Sequence, residues 1–214
     1  MDNPNAGGCA IFYSAKIAKL FPSITAHTIV PGRCHCIDLC GSQGRLKIFN
    51  LHLDPDLRTP DKKRVISQIA RIMLEPAYCT CVIAGDFNYQ ANGEARSDLA
   101  GQLTFRSSSM HQHFARVLPQ LAEVAQDRYT HRCVRGSEIN LGRNDRIYTN
   151  MFSAVLVDLN PRSFIIGDPA YPGELSDHVP VVLVLCPSTS SGQRGIPKWV
   201  SRHPSFPEQF EAVL

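Results

Sequence analysis

Gly85-Asp86-Phe87-Asn88 follows the apolar run Cys79-Thr80-Cys81-Val82-Ile83-Ala84, and its reading decides the fold. A short apolar run closed by a Gly-Asp turn reads as a buried strand, so the tetrapeptide stands at a strand's mouth. Asp86 and Asn88 are two residues apart, and if the strand persists both side chains project to one face. A carboxylate can bind a metal or take a proton from water, while a carboxamide can donate to and accept from a phosphate without titrating. The same four residues also fit a plain strand-ending turn, because Gly, Asp and Asn are ordinary loop residues.

Three further stretches bear on that choice. Ser176-Asp177-His178-Val179-Pro180 precedes the apolar run Val181 to Cys186 and puts an Asp-His pair at a strand entrance. Histidine has an ordinary pKa of about 6.5 and trades protons near neutral pH. Asn144-Asp145-Arg146-Ile147-Tyr148-Thr149-Asn150 places another carboxylate at the start of a β-branched and aromatic strand. An imidazole needs an acceptor on its far nitrogen, which either Asp145 or Asp177 could supply. In Ile48-Phe49-Asn50-Leu51-His52-Leu53, Asn50 and His52 alternate with apolar residues. Any one of these is more often a satisfied polar residue than a catalyst. Four of them, each at a strand end, are hard to explain as turns.

These four motifs, in this order and rough spacing, resemble the endonuclease/exonuclease/phosphatase superfamily, the deoxyribonuclease I-like fold. The resemblance runs from about Gly7 to about Pro187. The Asp-Arg-Ile-Tyr wording and the segment Gly7-Gly8-Cys9-Ala10-Ile11-Phe12 look most like the apurinic-type endonuclease domains of non-LTR retrotransposons. It implies an α/β four-layer α-β-β-α sandwich of two mixed sheets, here lacking the first strands and helix. It also implies phosphodiester hydrolysis with Mg²⁺ (or Mn²⁺), DNA as partner, and in a longer polyprotein a downstream reverse transcriptase region. By resemblance, Asp86 orients or deprotonates water and Asn88 holds the phosphate. His178, held by Asp145, stabilises developing charge, and Asp177 faces the metal. Asn50 and His52 complete the phosphate pocket, His52 as the acid on the leaving oxygen.

The family also has a metal-binding Glu before the Gly-Gly-Cys-Ala-Ile-Phe segment, which starts here at residue 7. Glu75, Glu94, Glu123 and Glu138 all follow it, so that role transfers to no residue and the domain reads as N-terminally truncated. The expected function is a metal-dependent DNA endonuclease of retroelement origin, inactive if the Glu is truly missing. The alternatives are a dead remnant that binds nucleic acid, and a phosphatase of another substrate class, because fold alone does not settle the ligand.

Composition fits a single globular domain: 214 residues, 43% hydrophobic and 19% charged. A net charge of +3 suits a polyanionic substrate without the Lys/Arg clustering of a dedicated nucleic-acid tail. No apolar run approaches the ~20 residues of a membrane span, and no signal peptide is evident, so the chain reads as soluble and intracellular, compatible with the nucleus. The eight cysteines form no C-x-x-C pair and read as buried free thiols, with a zinc site at Cys34, Cys36 and Cys40 as the alternative.

Strands are expected at Cys9 to Ser14, Ile24 to Val30, Arg33 to Leu39, Leu46 to Leu51, Cys79 to Ala84, Arg146 to Thr149, Ala154 to Leu159 and Val179 to Cys186. Thr59 as N-cap and Pro60 open a helix with Val65, Ile66, Ile69, Ile72 and Met73 on its apolar face and Lys62, Lys63, Arg64 and Arg71 on its solvated one. A second helix is expected around Phe114 to Val124, kinked or divided by Pro119. Arg146 and Tyr148 read as outward strand residues, and His27, His111, His113 and His131 receive no role. Residues 1–187 form the domain, and 188–214, beginning with a Ser/Thr/Gly-rich stretch, form a linker and tail.

Overall fold

The computed structural model describes residues 8–42, 44–73, 79–105, 108–124, 126, 128–135, 137–151, 162–170 and 176–185. The expected strand at Ala154 to Leu159 and the tail from 188 lie outside them. Most of a six-stranded sheet comes from the middle of the chain: β1 (Ser23–Val30), β2 (Cys34–Gly41), β3 (Gly44–His52), β4 (Thr80–Asp86), β10 (Asp145–Thr149) and β7 (Ala122–Glu123), in the order β1-β2-β3-β4-β10-β7. A four-stranded sheet has the order β6 (Leu103–Phe105), β5 (Ala95–Asp98), β9 (Glu138–Gly142), β8 (His131–Arg135). β11 (Arg162–Ile165) and β12 (Val181–Val184) form a separate antiparallel pair. The chain is therefore a mixed α/β fold with two main sheets.

β3 and β4 run parallel, which requires a crossover, and α2 (Thr59–Met73) supplies it. Val65, Ile66, Ile69, Ala70 and Met73 are the buried stripe of α2. They pack on one face of the large sheet with Cys34, Cys36, Phe49, Leu51, Cys81, Ile83 and Tyr148, and with Met110 and Phe114 of α3 (Ser109–Val117). Among the described residues no helix is long and apolar enough to cross a membrane.

Several sequence expectations change. Residues 8–14 form no strand: Ala10's carbonyl is taken by the Asn50 amide, and Ser14's carbonyl starts α1 (Ala15–Leu20) by accepting from Ile17 and Ala18. Thr59 is the first residue of α2, not its cap. α3 ends before Pro119 instead of bending there, because a residue preceding proline is pushed out of helical geometry; Leu118 has φ −127°, ψ 55°. Val124 then bonds Ile147 of β10. Lys62 is half-buried and donates to the Pro55 carbonyl, so it leaves the solvated face of α2. Arg146 points inward and is fully buried, as described below.

The cysteine alternatives separate in the same way. Burial pushes the thiols of Cys34, Cys36 and Cys81 up to about 12, leaving them neutral, whereas Cys40 is exposed. Among the described residues the donor atoms of Cys34, Cys36 and Cys40 do not gather into a group that could hold one ion.

Candidate active site

Alternation along each strand assigns the two faces of the large sheet. Phe49, Leu51, Ile83 and Tyr148 turn to the helices, so Asn50, His52, Asp86 and Asp145 turn to the other face. Register makes them neighbours: His52 lies opposite Asp86 across the parallel pair, and Asp86 lies opposite Asp145 across the antiparallel one. One row of residues, at the C-terminal ends of β3 and β4, thus carries an imidazole and two carboxylates.

Gly85 lets this row form. Its φ is +141°, a region L side chains rarely adopt, and a Cβ there would collide with the Leu51 carbonyl oxygen. β4 then stops at Asp86, so Asn88 does not reach Asp86's face by strand alternation as expected from the sequence. It gets there by a turn: Asn88 takes φ +48°, its backbone N–H donates to Asp86 Oδ1 at 2.9 Å, and its Nδ2 donates to Oδ2 at 2.7 Å. Between them Phe87 is the anchor, buried edge-on against Tyr89, Phe114 and Tyr148 at centroid distances of 5.1–5.5 Å.

His178 arrives from the other end of the chain. Val179 N–H bonds the Thr130 carbonyl and Arg132 N–H bonds the Asp177 carbonyl, clipping the segment to β8. Of the two acceptors considered for His178, Asp145 takes the place: its Oδ2 is 2.7 Å from Nδ1. Nε2 then faces Asp86 Oδ2 at 3.8 Å and Asp177 Oδ1 at 3.9 Å. Asp177 itself is 68% exposed at the rim. His52 Nε2 is 3.8 Å from the same Asp86 Oδ2. Asn50, His52, Asp86, Asn88, Asp145, Asp177 and His178 therefore line one open cleft, with Cys9 and His131.

The electrostatics of the cleft follow from burial and crowding. Burial, and then the charge of Asp145, push the Asp86 carboxyl up to about 6, against the opposing pull of His178. Burial works against a charged His178, but the hydrogen bond and charge of Asp145, with Asp86 and Asp177 behind, outweigh it and raise its pKa. His52 moves the opposite way, lowered by burial and by Arg33. Arg33 Nη1 lies 3.2 Å from His52 Nδ1, and a guanidinium can only donate. The neutral ring therefore keeps its proton on Nε2, toward Asp86.

Four residues with roles here were not picked out from the sequence. Arg33 sets the His52 tautomer while pairing with Asp54. Asn144 is buried and donates from Nδ2 to Asn88 Oδ1 at 3.1 Å, which fixes which end of the Asn88 amide faces Asp86. Thr130 Oγ1 accepts from the backbone N–H of both Asn144 and Asp145. The His131 ring lies against that of His178 at a 45° tilt, with centroids 4.5 Å apart. Only Asn144, inside a quoted motif, carried a local signal. Among the described residues no glutamate lines the cleft; Glu94 and Glu123 pair with Arg143 and Arg146 instead.

No family model matches the chain, and no curated protein does. Among solved structures, the chain is similar to the endonuclease domain of TRAS1, a telomere-specific non-LTR retrotransposon, with TM-score 0.53 and 13% identity over 76% of this chain and 68% of that one. An endonuclease/exonuclease/phosphatase family protein from Leptotrichia buccalis gives TM-score 0.47 and 16% identity over 77% and 61%. D. rerio TDP2, complexed with a single-strand DNA product, gives 0.44 and 15% over 75% and 66%. The chain thus spans about two thirds or less of the last two. At such identities the likeness is one of fold: the chain has the endonuclease/exonuclease/phosphatase fold.

Proposed function

We propose that the chain is a metal-dependent phosphodiester hydrolase acting on DNA, with Asp86, Asn88, Asp145, His178 and His52 as its catalytic groups. The observation that carries this reading is the Asp145–His178 pair, bonded at 2.7 Å, whose free nitrogen faces Asp86 across an open cleft. Asp86 orients the attacking water and accepts its proton, for which a carboxyl lifted to about 6 is better suited than an ordinary one. His178, charged through Asp145, stabilises the negative charge that develops on the phosphate. Asn88 and Asn50 hold the ester. His52, neutral under the influence of burial and Arg33, donates its Nε2 proton in a hydrogen bond to the phosphate, a role that fits its lowered pKa better than that of general acid.

A hard divalent ion fits this donor set. Mg²⁺ or Mn²⁺ takes one or two protein carboxylates and completes its shell with water and phosphate oxygens, and Asp177 at the cleft rim supplies such an oxygen. Such an ion would supply Lewis-acid polarisation of the phosphate and neutralise its charge. The fold likeness to the TRAS1 endonuclease domain supports DNA as the ester and a retroelement origin; a reverse transcriptase region further along a longer polyprotein rests on the sequence resemblance alone.

Plasmid nicking tests the reading. Mg²⁺-dependent nicking is expected, and His178→Ala should lower it about a hundredfold or more, the scale of a positioned acid-base group. Nicking that survives His178→Ala, or that needs no divalent ion, would overturn it. DNA binding without nicking would select the binding-module reading.

A further inference from the structure

The geometry points to a second metal site of different chemistry at the rim of the cleft, where His131, Asp177 and His178 bind a borderline divalent ion such as Zn²⁺. One donor atom from each residue lies within 4.8 Å of the others, and His131 Nε2 is 3.3 Å from Asp177 Oδ2. Around tetrahedral zinc, with ligand bonds of about 2.0–2.1 Å, neighbouring donors sit about 3.3 Å apart. One edge of the coordination polyhedron is therefore already formed, and His178 Nε2 lies 3.9 Å from the other oxygen of the same carboxylate, Oδ1.

Two independent features support the assignment. A histidine that ligates a metal ordinarily donates its other ring N–H to a carboxylate, and His178 Nδ1 is held in this way by Asp145 Oδ2 at 2.7 Å. The backbone is also set beforehand: His131 and His178 face each other in an antiparallel bridge, flanked by the bonds Arg132 N–H to Asp177 O and Val179 N–H to Thr130 O. Asp177's exposure leaves an entry path and an open fourth position for water. Two imidazoles and one carboxylate suit zinc, whereas Mg²⁺ takes oxygen ligands. An ion bound here occupies His178 Nε2, the nitrogen assigned to the phosphate under the proposed function, and Asp177, the carboxylate assigned there to Mg²⁺, so zinc and hydrolysis exclude each other. That consequence rests on the hydrolytic reading, whereas the binding itself does not.

The test is calorimetric titration of Zn²⁺ alone into the full chain, in buffer containing excess Mg²⁺. One ion should bind despite the Mg²⁺. His131→Ala and Asp177→Asn should each weaken it by more than the about 10–100-fold that loss of an outer hydrogen-bond partner costs, and Asp145→Asn by an amount within that range. Asp177 is exposed, so its amide variant keeps the packing even if His131→Ala disturbs it. Affinity unchanged in both ligand variants, as ions held by thiols or by His52 would give, overturns the site. No activity is read, so a chain that hydrolyses nothing still decides the matter.

Discussion

Asp86 and His178 sit 3.8 Å apart and are both shifted upward, for different reasons: burial and Asp145 raise the carboxyl, and Asp145's hydrogen bond and charge raise the imidazole against burial. Their effect on stability has one sign. Asp86 is raised from an unfolded value of about 3.9 to about 6, so its contribution is complete below the first and lost as pH rises through the second. His178 contributes fully below about 6.5 and loses that contribution as pH rises through its higher folded value. These two groups thus favour the metal-free cleft in acid over neutral pH, whereas His52 and His131, both lowered chiefly by burial, contribute with the opposite sign. In Asp145→Asn both groups lose the charge that raises them, so both pKa values should fall. The titration of the His178 Cε1 proton by NMR measures this directly, and an unchanged midpoint would refute Asp145 as its partner.

Within β10, side chains alternate as a strand requires, but the alternation sorts residues into faces without saying which face is covered. Asp145 and Ile147 turn to the cleft face, and Arg146 and Tyr148 turn to the helix side, where neither is exposed to any extent. Arg146 reaches Glu94 and Glu123 and donates to the Tyr89 and Arg143 carbonyls, while Arg143 shares both carboxylates. These partners come from a loop and from β7, distant in sequence, so a solvent-facing arginine was the natural reading and a buried ion network was not. The helix stripe of α2 and the strands β3 and β4 on either side of it, by contrast, are periodic and local, and were legible. Removing one partner of a buried ion network strands the others, at about 3–5 kcal/mol. Arg146→Met should cost about the lower end of that range in urea unfolding, since Arg143 stays beside the two glutamates. Adding Glu123→Gln should recover part of the loss through non-additivity. A cost under about 1 kcal/mol, the scale of a surface pair, would show that the network is not what holds β10 to β7.

Across the molecule, the candidate site lies on a seam. Asn50, His52, Asp86 and Asp145 belong to the six-stranded sheet, His131 to the edge strand of the four-stranded sheet, and His178 to the segment entering β12. The four motifs were visible as strand-end polar residues, but their convergence was given only by the family resemblance, because it depends on how the sheets meet. Thr130, fully buried at that junction, joins all three parts. Its N–H bonds the Gly142 carbonyl, its carbonyl accepts from Val179, and its Oγ1 accepts from the N–H groups of Asn144 and Asp145. Nothing in the stretch around Tyr129-Thr130-His131 marked it, since a threonine before a strand is unremarkable. Thr130→Val keeps the volume and the backbone bonds but leaves two buried N–H groups without an acceptor, at about 1–3 kcal/mol each. Because one of those groups belongs to Asp145, the loss should reach the site: Asp145 moves off His178, and His178's pKa falls together with the urea midpoint. Thr130→Ser, which restores the hydroxyl, should recover most of both. A Val variant that loses stability while His178 titrates as in the parent would separate the seam from the site, and Thr130 would then be a structural residue only.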